Sequence, residues 1–78
     1  MDNAPAQDNA SLFAALLLRA RNQQLPLGEL FQVAEALSAG GQRVLAAELY
    51  KAWIAYNDSN PLLHFVYFNY SVTLRQMD

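Results

Sequence analysis

The chain has 78 residues, 54% of them hydrophobic and 15% charged, with five Lys+Arg against seven Asp+Glu for a net charge of −2. That length bounds the fold to one domain with a thin core, because a small chain buries a modest share of its surface. The nearly neutral body excludes an electrostatic platform for nucleic acid or an anionic membrane, while the lack of cysteine excludes disulfides and thiolate metal sites and fits a reducing, cytoplasmic setting.

Residues 1–9, MDNAPAQDN, are small and polar without apolar periodicity, so a disordered tail is expected ahead of a helical domain over 10–78. Asp8, Asn9 or Ser11 is available to cap the opening helix of that domain. This first helix is predicted over 11–22, where Leu12, Phe13, Leu16, Leu17 and Ala20 form a wide apolar stripe that Ala15 and Leu18 widen further. A helix apolar around most of its circumference is normally covered on more than one side, which makes this one a candidate for self-association. Its unbroken apolar run, 12–18, is too short to cross a bilayer and comes after a stretch without Lys or Arg, so neither a membrane helix nor a signal peptide is expected.

Pro26 has a preset φ and no donor, which suits the first turn of a second helix over 27–39 that Gly28 weakens slightly. Leu30, Phe31, Val33, Ala34 and Leu37 are expected inward and Glu29, Gln32 and Glu35 in water. Gly40 and Gly41 mark its end, since glycine adopts a left-handed cap at least cost. The third helix, 42–56, carries Leu45, Leu49, Ala52 and Tyr56 on one stripe and Ala46, Tyr50 and Trp53 on the next, with Glu48 and Lys51 placed for an exposed ion pair. After the polar turn of Asn57, Asp58, Ser59 and Asn60, the last of these is expected to cap a fourth helix over 61–77 with Pro61 at its first position. The segment FVYFNYSVT has strand propensity as well, but the proline start signal, the length and the helical neighbours favour helix. The fold class is therefore all-α, built of antiparallel helix hairpins with about four helices. Residues 30–57 make a full hairpin and residues 61–78 half of the next, whose open face must be covered in some other way.

Chemistry is sparsely represented. His64 is the only histidine and has no accompanying carboxylate cluster, so neither a metal site nor a general base is expected. Glu29, Glu35, Glu48 and Asp58 are scattered over solvent faces, and Gly28, Gly40 and Gly41 form no phosphate-cradling loop. No catalytic residue, cofactor or metal is assigned, and the chain by itself is not expected to be an enzyme. The fourth helix is the functional candidate, because Phe65, Tyr67, Phe68 and Tyr70 occupy too wide an arc for one hairpin to bury.

The hairpin resembles a tetratricopeptide repeat (TPR): Ala34 stands at the small position of its first helix, Gly41 at the turn glycine, Ala46 at the alanine of its second helix and Tyr50 at the aromatic four residues later. Trp53, where such repeats usually have alanine, and the displaced Pro61 depart from the pattern and are consistent with a terminal, capping repeat. Across roughly 27–78 the sequence is similar to the start of the TPR region of bacterial SPINDLY-like and O-linked N-acetylglucosamine transferase-like proteins. That resemblance implies a superhelix that presents polypeptide to a separate transferase module and can mediate dimerisation. It also implies a peptide contact for Asn69, where the first repeat has Gln32.

The expectation from residues and resemblance together is a non-catalytic interaction domain that self-associates through its first and fourth helices, with Leu16, Leu17, Phe65, Phe68 and Tyr70 at the interface. Two other readings stand beside it: the N-terminal part of a glycosyltransferase that positions an acceptor polypeptide, with further repeats as neighbours, and a small adaptor that binds a peptide of another protein.

Overall fold

The computed structural model describes residues 9–77 and forms four α-helices: α1 (Asn9–Arg21), α2 (Leu27–Ala39), α3 (Arg43–Tyr56) and α4 (Leu63–Gln76). No strand occurs among the described residues, so the FVYFNYSVT segment is helical in spite of its strand propensity. The expected tail lies outside the described residues except for Asn9, which opens α1 two residues ahead of the predicted start.

Each connection arises from local chemistry. Pro26 sits at the N-cap of α2 with φ −64°, and its carbonyl accepts the Leu30 N–H at 2.9 Å. At the other end of α2 the Gln42 N–H reaches the Leu37 carbonyl (2.8 Å) and the Gly41 N–H the Ser38 carbonyl (3.1 Å), a Schellman closure that places Gly41 at φ +82°. The same pair of bonds closes α1, from Gln24 to Arg19 (2.8 Å) and from Gln23 to Ala20 (3.2 Å), but here a glutamine takes the left-handed position at φ 59°. That conformation costs an L-residue about 1–2 kcal/mol. The Gln23 side chain offsets part of it by donating to the Tyr56 carbonyl at the end of α3 (2.9 Å). Asn60 does not cap α4: its Oδ1 accepts the Leu62 N–H at 2.8 Å within the turn that Pro61 and Leu62 form. Leu62 itself is the N-cap without a side-chain cap, and the helix begins at Leu63, two residues beyond Pro61.

The tertiary plan is a hub: α3 packs against α1, α2 and α4. Asn57 ties the C-terminal ends of α1 and α3 together, its amide donating to the Ala20 carbonyl (3.2 Å) and the Trp53 carbonyl (2.9 Å), so these two helices run the same way. Arg43 at the start of α3 meets Gln76 at the end of α4 (3.4 Å), which sets α4 antiparallel to α3.

Small residues stand where helices cross: Ala20, Ala34 and Ala46 are fully buried, which lets the axes approach while Leu30, Leu49, Trp53 and Val66 fill the space between them. Each of the large aliphatic side chains among these contributes about 1.5–3 kcal/mol by leaving water. In α3 the buried stripe is Ala46, Leu49, Tyr50 and Trp53 together with Ala47, whereas Tyr56, expected with Leu45 and Leu49, is exposed beneath the Arg21 guanidinium (5.6 Å). Trp53, 2% exposed, donates its indole N–H to the Leu25 carbonyl at 2.8 Å and so pins the α1–α2 loop to the hub.

Candidate functional site

The outer face of α4 is defined by how its inner face is used. Val66 and Thr73 are buried, Leu63 and Tyr70 pack partly against the core, and the remaining arc faces solvent. Phe65, Tyr67 and Phe68 are 50%, 52% and 64% exposed on that arc, with Leu62 and Leu74 at its edges. The helix contains no acidic residue, and its basic groups are Arg75 and His64, the latter lying against the Phe65 ring at 4.1 Å. Phe65 and Phe68, about 60° apart around the helix, form an exposed apolar patch of the kind that marks contact sites, while Tyr67 lies about 100° from Phe68 on the other flank, at an angle past His64, Ser71 and Arg75.

Of the residues predicted for an interface, Phe65 and Phe68 lie on this face. Tyr70 does not: its ring meets Tyr50 at a centroid distance of 6.4 Å, and Tyr50 meets Phe31 at the same distance, so the three rings join α2, α3 and α4 internally. Leu16 and Leu17 are also turned partly inward against the core, and the exposed leucines of α1 are Leu12 and Leu18. A helix apolar on all sides gives periodicity no polar face by which to choose between these pairs.

Two clefts flank α1. The first, about 380 Å³, lies among α1, α2 and the start of α3 and is lined by Leu12, Phe13, Leu16, Val33, Leu37 and Leu45, with no charged side chain in its wall. The second, about 560 Å³, lies on the opposite flank beside Leu17 and Leu18 and is rimmed by Arg21, Glu48 and Lys51. Covering the second desolvates charge, and covering the first does not. Glu48 and Lys51 form no salt bridge. The ion pair among the described residues joins α1 to α2 instead, with Arg19 donating to both Glu29 carboxylate oxygens at 2.7 Å. These hydrogen bonds hold the Glu29 carboxyl below its ordinary range and raise the Arg19 guanidinium.

A third hollow, about 250 Å³, runs between α2 and α4 and includes Phe31, Glu35, Ser38, Tyr50, Asn69 and Gln76. Asn69 thus lies in a groove, but across from Glu35 and Ser38; Gln32, its expected counterpart, is exposed elsewhere on α2. The Asn69 amide donates to the Phe65 carbonyl at 2.9 Å, and Thr73 and Ser71 likewise bond back to Asn69 and Phe68 carbonyls at 3.0 and 2.8 Å. One amide proton of Asn69 is therefore engaged within the helix, and its Oδ1 is the acceptor it can present to a ligand. Burial pushes the Tyr50 phenol up, with the Glu35 carboxylate adding to the shift. No cluster of three or more potential metal ligands occurs among the described residues, and none of their helices is long and apolar enough to cross a membrane.

Several contacts have no counterpart in the sequence pattern: the indole bond to Leu25, the double cap by Asn57 and the Arg19–Glu29 pair. The one signal for them is Leu25 itself, a single large apolar residue between polar Gln24 and a proline. No protein-family model, no curated protein and no solved structure matches this chain, so the functional reading rests on the surfaces of the four helices.

Proposed function

We propose that this chain is a non-catalytic, TPR-like protein interaction domain that self-associates through the outer face of α4. The observation that carries the reading is the exposure of Phe65, Tyr67 and Phe68 together on one helix whose other side packs on α3. Aromatic side chains bury about 150–250 Å² each and dominate interface energetics, so the neighbouring Phe65 and Phe68 rings supply a contact nucleus with Tyr67 on its flank. Sedimentation equilibrium at micromolar concentration tests it. The wild-type chain is expected to exceed monomer mass and Phe68→Ser to return toward it; a folded, strictly monomeric wild type overturns the proposal.

A second reading is favoured by the position of Asn69 in the α2–α4 groove. There an extended polypeptide would be held by backbone hydrogen bonds to the Asn69 side-chain oxygen, as the resemblance to transferase-associated TPR regions implies. Titration with an extended peptide, comparing wild type and Asn69→Ala, separates this reading from self-association, and equal binding by both forms removes it.

A further inference from the structure

We infer that the groove between α2 and α4 takes a basic side chain of its polypeptide ligand, lysine or arginine, against Glu35. This rests on the second reading above, in which Asn69 contacts an extended polypeptide, and adds the kind of residue that the ligand carries.

The charge of the groove is the main argument. Glu35 is the one charged side chain lining the hollow of about 250 Å³; it is exposed and makes no ion pair among the described residues. The other carboxylate of α2, Glu29, is already held by Arg19. Burial pushes the Tyr50 phenol up and the Glu35 carboxylate adds to that shift, so the negative potential reaches the side chain that lines the hollow from α3. Arg43 meets the rim through Gln76, about 10 Å along α4 from Asn69.

The hydrogen-bonding groups agree with that sign. Asn69 spends an amide proton on the Phe65 carbonyl and Thr73 its hydroxyl proton on the Asn69 carbonyl, at 2.9 and 3.0 Å. The Asn69 Oδ1 and the Glu35 carboxylate remain as acceptors, which suit a backbone N–H and an ammonium or guanidinium group.

The local shape suits a long basic side chain. Phe31 and Glu35 are one turn apart on α2 and share a face, and the Phe31 ring stands 6.4 Å from Tyr50 at 56°. An aliphatic stem can pack on such a ring while its charged head reaches the carboxylate. The lining runs over 31–38 of α2 and 69–76 of α4, a rise of about 10 Å on each helix, which equals about three extended residues. An acidic side chain in this place would meet a like charge, and an apolar one would take water from Glu35 without replacing it.

Peptide selection on the whole chain tests the inference. Wild type, Glu35→Gln, Glu35→Lys and Asn69→Ala, with folding checked by circular dichroism, are each panned at low ionic strength against a display library of short random peptides. Peptides recovered by wild type are then remade with Arg, Gln or Glu at the enriched position and titrated by fluorescence anisotropy. Wild type is expected to enrich Lys or Arg at one position and to bind the Arg form about 3–5-fold more tightly than the Gln form, as an exposed ion pair allows. Glu35→Gln should lose that difference, Glu35→Lys should prefer the Glu form, and Glu48→Gln, outside the groove, should behave as wild type. Binding that needs Asn69 but shows no basic preference, or a preference unchanged in Glu35→Gln, overturns the inference and leaves the groove reading standing. Binding indifferent to both Asn69 and Glu35, or no recovered peptide, overturns both. Self-association of the peptide-free chain that Glu35→Gln abolishes would assign the hollow to a second copy and overturns the inference as well.

Discussion

Trp53→Phe isolates what the indole does at the hub. The ring is 2% exposed and its N–H donates to the Leu25 carbonyl at 2.8 Å, the bond that holds the α1–α2 loop on α3. Phenylalanine keeps an aromatic ring but removes about three heavy atoms, which at about 0.8 kcal/mol per methylene equivalent is about 2 kcal/mol of lost burial. It also leaves a buried carbonyl without its donor, at about 1–3 kcal/mol. The sum, about 3–5 kcal/mol, is a large share of the roughly 4–12 kcal/mol expected for a domain of this size. Urea denaturation followed by far-UV circular dichroism measures it, at a concentration low enough that association adds nothing to apparent stability. Thermal unfolding should shift down by at least about 12 °C, and the wild-type indole proton should exchange only on global unfolding. A loss below about 1 kcal/mol, or rapid indole exchange, refutes the role given to this bond.

Three other substitutions probe the turn, the helix start and the ion pair. Gly41 has φ +82° with open space where a Cβ would stand, so Gly41→Ala meets backbone strain alone and is expected to cost about 1–2 kcal/mol in chemical denaturation. Gly28 has equal space and no positive φ, so Gly28→Ala is expected to stabilise by about 0.5–1 kcal/mol; a loss at this site contradicts the assigned helix start. Glu29→Gln removes the carboxylate that the Arg19 hydrogen bonds hold below its ordinary value of 4.5. The folded state binds that proton less readily than the unfolded state, so the stabilisation is full above the ordinary value and fades as pH falls through the lowered one. The melting temperature of Glu29→Gln should thus lie below wild type at neutral pH and converge with it in acid; a constant gap across that range contradicts the linkage.

Local chemistry was legible wherever one residue type had one physical use. Pro26 opens α2, Gly41 takes the left-handed position, and Ala34 and Ala46 are buried in the core, all for reasons visible in the sequence, whereas the helix start expected at Asn60 and Pro61 is displaced to Leu62 by a turn. The orientation of α1 was not legible. Leu12, Leu16, Leu17 and Leu18 are chemically equivalent, and only packing against α3 turns the middle two inward. The hub was hidden for the same reason, because the apolar stripes of α3 cover a wide arc and their division among three partners is a tertiary outcome. Long-range polar contacts such as the Trp53 and Asn57 bonds join residues that no periodicity relates. At α4 the excess of aromatic residues was legible, while the inward position of Tyr70 depended on Tyr50 and Phe31 lying where they could receive it.

The proposed interface and the buried face of α4 are separate, so stability and the proposed association can be tested one against the other. Trp53 of α3 and Val66 of α4 are buried in the core, and Phe65 and Phe68 of α4 are exposed. A substitution at Phe68 should therefore change mass without changing the unfolding midpoint of the dilute monomer, since a ring already 64% exposed loses little burial when truncated. Trp53→Phe should act on mass only through the fraction of chains that remain folded. Mass action supplies the cross-check: if copies associate only when folded, the midpoint of the wild type rises with concentration and that of Phe68→Glu stays flat. A concentration-dependent midpoint that survives in Phe68→Glu would mean that the chains associate through a surface other than the outer face of α4.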